Sequence, residues 1–217
     1  MTVRPAPAAA LLLAVLALLA CGGCTADAAD RPAAGPSSVA VPTAPAGLAR
    51  LLLTRVPSGL PRVPDAELTP AAGPKTVDDV AGYAPDPQRQ RAVLADYGYR
   101  WGWERFWRSG NALTSVFVDQ FDRRAGAGSY AEDLAANDEE YYGGRRDDAP
   151  SGLPAGCALL TVDTPPARTG MTGPAALAWC SKGLFSVSVA AVSSTPERAR
   201  AELAAVVAEQ LGRLPES

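Results

Sequence analysis

Residues 97–107 read YGYRWGWERFW, a stretch of 11 positions that holds six of the chain's 14 aromatic side chains. Tyr97, Tyr99, Trp101 and Trp103 alternate with Gly98, Arg100, Gly102 and Glu104. A period of two belongs to a β-strand, so one face is aromatic and the other small or charged. Four rings on one face suit a roof over a helix, and Gly98 and Gly102 on the reverse let another backbone or ring lie close. Phe106 and Trp107 interrupt the alternation, which places a bulge or the strand end near Arg105. The same stretch also offers a binding surface. Trp101 and Trp103 could stack on a flat ligand while Arg100 and Arg105 pair an anionic group. The period of two from Tyr97 to Trp103 favours the core role for the rings and leaves Arg100 and Arg105 as the better ligand-binding candidates.

Working outward, Asp86 and Pro87 form an N-cap and first-turn pair for a helix running to about Asp96, which Gly98 can stop. A shorter helix begins at Thr76–Val80. Downstream, Arg108–Asn111 has turn chemistry, and Leu113–Phe121 is a second strand that pairs with the first as an antiparallel hairpin. Residues 125–142 read as one helix or two short ones, with Tyr130, Leu134 and Tyr141 as candidate core contacts. Gly143 and Gly144 end it, and a charged loop runs to Gly156. Strands follow at Cys157–Asp163, Ala175–Ser181 and Leu184–Val192, the last two joined by a tight turn at Lys182–Gly183. Thr195, Pro196 and Glu197 then start a closing helix with Leu203, Val206, Val207, Gln210 and Leu211 on one face. These elements predict an α+β domain: an antiparallel sheet of about five strands, helices mainly on one face, and the C-terminal helix packed on the sheet.

Two of the four cysteines, Cys157 and Cys180, fall in this domain. They lie equidistant from the middle of the loop Thr164–Gly173, so a symmetric hairpin sets them opposite one another. A disulfide between them stabilises by roughly 3 kcal/mol in the chain-entropy description. A redox role would call for a CxxC spacing that depresses a thiol pKa, and none is present.

The N-terminus carries its own signal. Arg4 precedes an unbroken apolar run, Ala8–Ala20, which suits a signal-peptide core and is short for a membrane span. The run ends in Leu18-Leu19-Ala20-Cys21-Gly22, which resembles a bacterial lipobox. Residues 1–20 therefore read as a lipoprotein signal peptide and Cys21 as the lipidated residue; Cys24 is a poorer acceptor because Cys21 occupies its minus-three position. Residues 21–46 are rich in Pro and Ala and lack hydrophobic period, the mark of a tether. Residues 47–217 form the single extracytoplasmic domain. Loss of residues 1–20 removes one Arg and no acid, leaving 19 basic against 23 acidic groups and no basic field for nucleic acid. The membrane, through the N-terminal lipid, is the partner this implies.

Catalytic chemistry is sparse. The chain contains no histidine, which removes the usual Ser/His/Asp and Cys/His machinery and histidine-rich zinc sites. Neither lysine, Lys75 or Lys182, sits in an SxxK motif. Glu132, Asp133, Asp138, Glu139, Glu140, Asp147 and Asp148 form an acidic run, but it lacks the ligand order of an EF-hand and includes Arg145 and Arg146, so it reads as a solvated surface. No metal and no cofactor is expected.

Leu18–Cys21, the segment VAGYAPDPQRQRAVLADYGYRWGWERFW (Val80–Trp107), the run VFVDQF followed by AGAGSYAEDLA, and the closing AWCSKGLFSVSVAAV resemble actinobacterial cell-envelope lipoproteins. The chain is similar, more loosely, to the extracellular sensor domain of mycobacterial-type Ser/Thr kinases and to helix-on-sheet domains of the PsbP type. The Ala, Arg and Pro bias with two lysines agrees with a GC-rich, actinobacterial source. The resemblance implies a largely non-enzymatic class that binds or senses an envelope ligand outside the cytoplasm. The alternatives are a carboxylate-dependent hydrolase of wall polymer, which requires two facing acids, and a structural protein-interaction module.

Overall fold

The computed structural model describes residues 40–216; Cys21 and the signal and tether segments up to residue 39 lie outside the described residues. In chain order the elements are α1 (Pro45–Leu48), β1 (Gly73–Lys75), α2 (Val77–Ala81), α3 (Pro87–Tyr97), β2 (Tyr99–Ser109), β3 (Ala112–Phe121), α4 (Arg124–Tyr142), β4 (Arg145–Asp147), β5 (Cys157–Val162), β6 (Ala175–Lys182), β7 (Phe185–Val192) and α5 (Pro196–Arg213). Local chemistry fixes several ends. Thr76, Asp86 and Thr195 each accept a first-turn amide as N-caps. Gly98 closes α3 at a positive φ of 75°, a conformation that favours glycine. Among the described residues no helix is long and apolar enough to cross a membrane.

The fold is α+β, with one antiparallel sheet of seven strands in the order β1-β2-β3-β7-β6-β5-β4. The expected count of about five falls short by the two edges. β1 is Gly-Pro-Lys and β4 is Arg-Arg-Asp, three residues each, too short to show a period. Pro74 is tolerated because β1 is an edge strand.

Helices cover both faces, not mainly one. On the first, Val116 and Val118 of β3, Ala176 and Ala178 of β6, and Val187 and Val189 of β7 meet Leu203, Val206 and Val207 of α5 and the N-terminal Leu48, Leu51, Leu52 and Leu53. On the second, Leu160 of β5 and Leu177 and Trp179 of β6 pack under Ala131 and Ala135 of α4. Ala175–Cys180 is buried throughout because helices lie above and below it. Such a run has no alternation to betray the second helix.

The aromatic strand obeys its period with one slip. The β2–β3 register shifts between Tyr99 and Trp101, so the bulge lies at Arg100 and not near Arg105. From Trp101 onward the alternation holds: Trp101, Trp103 and Trp107 all pack on the α5 side, and Trp107 is 1% exposed. Burial of a large apolar side chain of this kind contributes about 1.5–3 kcal/mol. Tyr97 is the last residue of α3, and Tyr99 is turned to the α4 side, where its ring meets Phe121 and Tyr130. The face drawn from Tyr97 to Trp103 is therefore shared between two cores. Tyr141, expected in the core, is 47% exposed.

Cys157 and Cys180 are directly paired in the β5–β6 register and joined as a disulfide.

Candidate functional site

A cavity of about 740 Å³ opens on the α4 side of the sheet. Its floor is built from cross-strand neighbours: Glu104, Phe117 and Ser188 lie side by side on β2, β3 and β7, and Phe106, Ser115 and Ala190 form the next rung. Helix α4 supplies one wall through Tyr130, Asp138 and Tyr142, while Thr169–Thr172 and Trp179 close another side. Tyr83 and Tyr141, the large hydrophobic side chains left most exposed among the described residues, flank it. A sheet floor is rigid, and this volume falls within the range usual for small-molecule sites.

Asp119 lines the cavity, 8% exposed, and accepts a hydrogen bond of 3.0 Å from the Tyr99 hydroxyl. The slip at Arg100 is what turns Tyr99 toward it. Gly102 faces Asp119 across the pair of strands, and a Cβ there would lie 2.2 Å from Asp119 Oδ1 and 2.6 Å from Tyr99 Oη. Burial pushes the Asp119 carboxyl up to about 7; the Tyr99 bond holds it down somewhat, and the nearby Glu104 raises it. Burial likewise pushes the Asp138 carboxyl up to about 6, against the Trp179 indole that lowers it.

Glu104 has a different environment. Lys75 Nζ lies 3.2 Å from its carboxylate, with the Lys75 side chain 5% and the Glu104 side chain 8% exposed. The Tyr83 hydroxyl donates to Glu104 Oε1 at 2.9 Å. Burial raises the Glu104 pKa, although Lys75 and Tyr83 both favour its charged form. Burial opposes the Lys75 charge, yet Tyr83 and Glu104 outweigh it and raise the Lys75 pKa. The cluster anchors α2 and β1 to the central hairpin, so it fixes Tyr83 beside the cavity. Two hydroxyls on the same sheet face, those of Ser186 and Ser188, are buried without a hydrogen-bond partner among the described residues.

The residues picked from the sequence lie elsewhere. Trp101 and Trp103 face the α5 core, and Trp101 Nε1 donates to Gln120 at 3.1 Å. Arg105 reaches down from the same face to three main-chain carbonyls, Ala49 at 2.8 Å, Leu52 at 3.0 Å and Leu53 at 2.6 Å. Those bonds clip the N-terminal leucines onto the sheet. Arg100, on the bulge, is exposed and stacks on the Trp101 ring at 4.7 Å. The structure brings none of these four into the cavity. Of the acidic run, Asp138 alone lines it; Cys21 lies outside the described residues.

Asp119, Glu104 and Ser188 escape a sequence reading because they meet only through strand pairing. One signal was present: Asp119-Gln120 interrupts the apolar run VFVDQF, so two adjacent polar residues point to opposite faces of a central strand. Asp119 is 8% and Gln120 1% exposed. Burial of both requires a polar environment on each side. Among the described residues no group of three or more His, Cys, Asp or Glu is placed to hold a metal ion.

No family model matches the chain, and no curated protein matches it. Among solved structures it is similar to the extracellular domain of PknH from Mycobacterium tuberculosis, at 15% identity and a TM-score of 0.46. The match covers 80% of this chain and 99% of that one, a loose likeness.

Proposed function

We propose that the chain is a membrane-anchored lipoprotein of the cell envelope, lipidated at Cys21, whose extracytoplasmic domain binds a ligand in the α4-side cavity without transforming it. The observation that carries this reading is the cavity itself: about 740 Å³ on a rigid sheet, with exposed Tyr83 and Tyr141 beside it. Small-molecule sites are commonly concave, apolar and pre-formed in this way. The lipobox supports the anchor, and the disulfide agrees with an oxidising compartment.

Native mass spectrometry of the chain released from its own membranes tests the binding. A bound small molecule is expected on the wild type and none on Ala190→Trp, which fills the floor; a bare wild type, or a variant that keeps the molecule, refutes it. The anchor predicts that a clickable fatty acid labels the wild type and not Cys21→Ala. Persistent labelling would move the acceptor to another residue.

A second reading, the carboxylate-dependent hydrolase, is favoured by one observation: two acids pushed up to about 7 and about 6 line the same cavity. It predicts turnover of wall polymer that disappears in Asp119→Asn and Asp138→Asn. Absence of turnover leaves the binding reading.

A further inference from the structure

Apart from the Lys75–Glu104 pair, the acids of the cavity have no counter-charge among the described residues: neither Asp119 nor Asp138 makes an ion pair there. Arg108 is the one cation lining the cavity among the described residues, and it is exposed at the end of β2; Arg168, outside the lining, stacks on Tyr141 at 5.8 Å. Where ionised, the two carboxyls set a negative potential in a largely apolar cavity that water screens less than at an open surface.

The walls suit a cation as well. Phe106, Phe117, Tyr130, Tyr142 and Trp179 line the same cavity as the acids, and aromatic rings attract alkylammonium groups most strongly when desolvated. Ser188 lines the floor between Phe117 and Trp179 and brings no charge to it. Anions find the opposite: one exposed guanidinium, and carboxyls ahead of them.

We infer that the cavity takes an organic cation, an ammonium or quaternary ammonium group on an apolar body, drawn by the field of the acids Asp119 and Asp138 that line it, with the body between the sheet and α4. The inference rests on the ligand-binding reading of this cavity. The titratable and charged groups facing Asp119 are Tyr99 and Glu104 from β2 and Tyr130 from α4, with Lys75 and Tyr83 behind Glu104. None but Lys75 is cationic, and Lys75 is committed to Glu104. A bound cation favours the charged carboxylate, so binding expels a proton from Asp119, and affinity rises with pH until it levels above about 7.

The test is calorimetric titration of the full chain in maltoside detergent at pH 7.5, corrected for empty micelles. The probes are benzyltrimethylammonium, neutral N,N-dimethylbenzamide and anionic benzenesulfonate. The cation should bind at least about tenfold more tightly than the neutral probe, and the anion should not bind. Asp119→Asn should weaken the cation about tenfold and leave the neutral probe unchanged; Asp138→Asn, at a less buried position, does the same and serves if the first variant fails to fold. Equal binding of cation and neutral probe, or preference for the anion, overturns the ligand class and leaves the cavity as a binding site. If no probe binds while native mass spectrometry still finds a bound molecule, the class alone is wrong. If no probe binds and no bound molecule is found, the binding reading has failed.

Discussion

Asp119→Asn has a consequence for stability that can be worked from its surroundings. The carboxyl is 8% exposed, and burial lifts its pKa from the ordinary 3.8 to about 7. Between those values the folded state holds a proton that the unfolded state has released, so stability falls as pH rises through about 4 to 7 and is level above. Each pKa unit corresponds to about 1.4 kcal/mol, so the whole loss is on the order of 4 kcal/mol, a large share of a domain's usual ~5–15 kcal/mol. About 1 kcal/mol of it falls between pH 6 and 7, a window in which Asp138, centred near 6, has already lost most of its own effect. Asn imitates the protonated acid and keeps an acceptor for the Tyr99 hydroxyl, so the variant should be more stable than the wild type at pH 8 by several kcal/mol. For a chain of this size that is roughly 10 °C in Tm. Urea unfolding followed by tryptophan fluorescence at pH 5, 6, 7 and 8, with the disulfide intact, reads the effect directly. If Asp119→Asn keeps the wild-type slope between pH 6 and 7, the slope arises at another group, such as Glu104, and the reasoning is refuted.

Breaking the Cys157–Cys180 bond, which joins positions separated by 23 in the sequence, should cost about 3 kcal/mol in Cys180→Ala. Equal urea midpoints for the variant and the oxidised wild type would contradict this. Arg105→Ala strands three carbonyls at Ala49, Leu52 and Leu53 and should cost about 2–4 kcal/mol. Hydrogen exchange should rise first in residues 48–56; unchanged exchange there would show that the leucines hold without the clip.

How far the sequence foretold this molecule depends on the range of the interaction concerned. Trp101 and Trp103 turn to the core as their alternation predicts, and Cys157 meets Cys180 because a symmetric hairpin sets its own register. Those signals are local. The bulge at Arg100 is one residue of slip, which the spacing of rings cannot reveal, and it alone decides that Tyr99 faces Asp119 and not Trp101. The second helical layer was hidden for the opposite reason: Ala175–Cys180 is apolar on both faces, and a run without alternation does not say how many partners it has. The cavity is further still from the sequence. Glu104, Asp119, Asp138 and Ser188 come from three strands and a helix, and what makes them a site is register and burial, not proximity in the chain.

The Arg105 clip has a companion at the far end of the chain. Gln210 of α5 accepts from Leu53 N at 3.1 Å and donates to Leu51 O at 3.1 Å, across separations of 157 and 159 in the sequence. The leucines that open the domain are thus sealed by its final helix, and their cover does not exist until that helix has formed. The first segment of the domain thus depends for its burial on the last. A chain cut before α5 leaves Leu48, Leu51, Leu52 and Leu53 uncovered beside a bare sheet face, and its expected fate is aggregation or capture by a chaperone, not a smaller working domain.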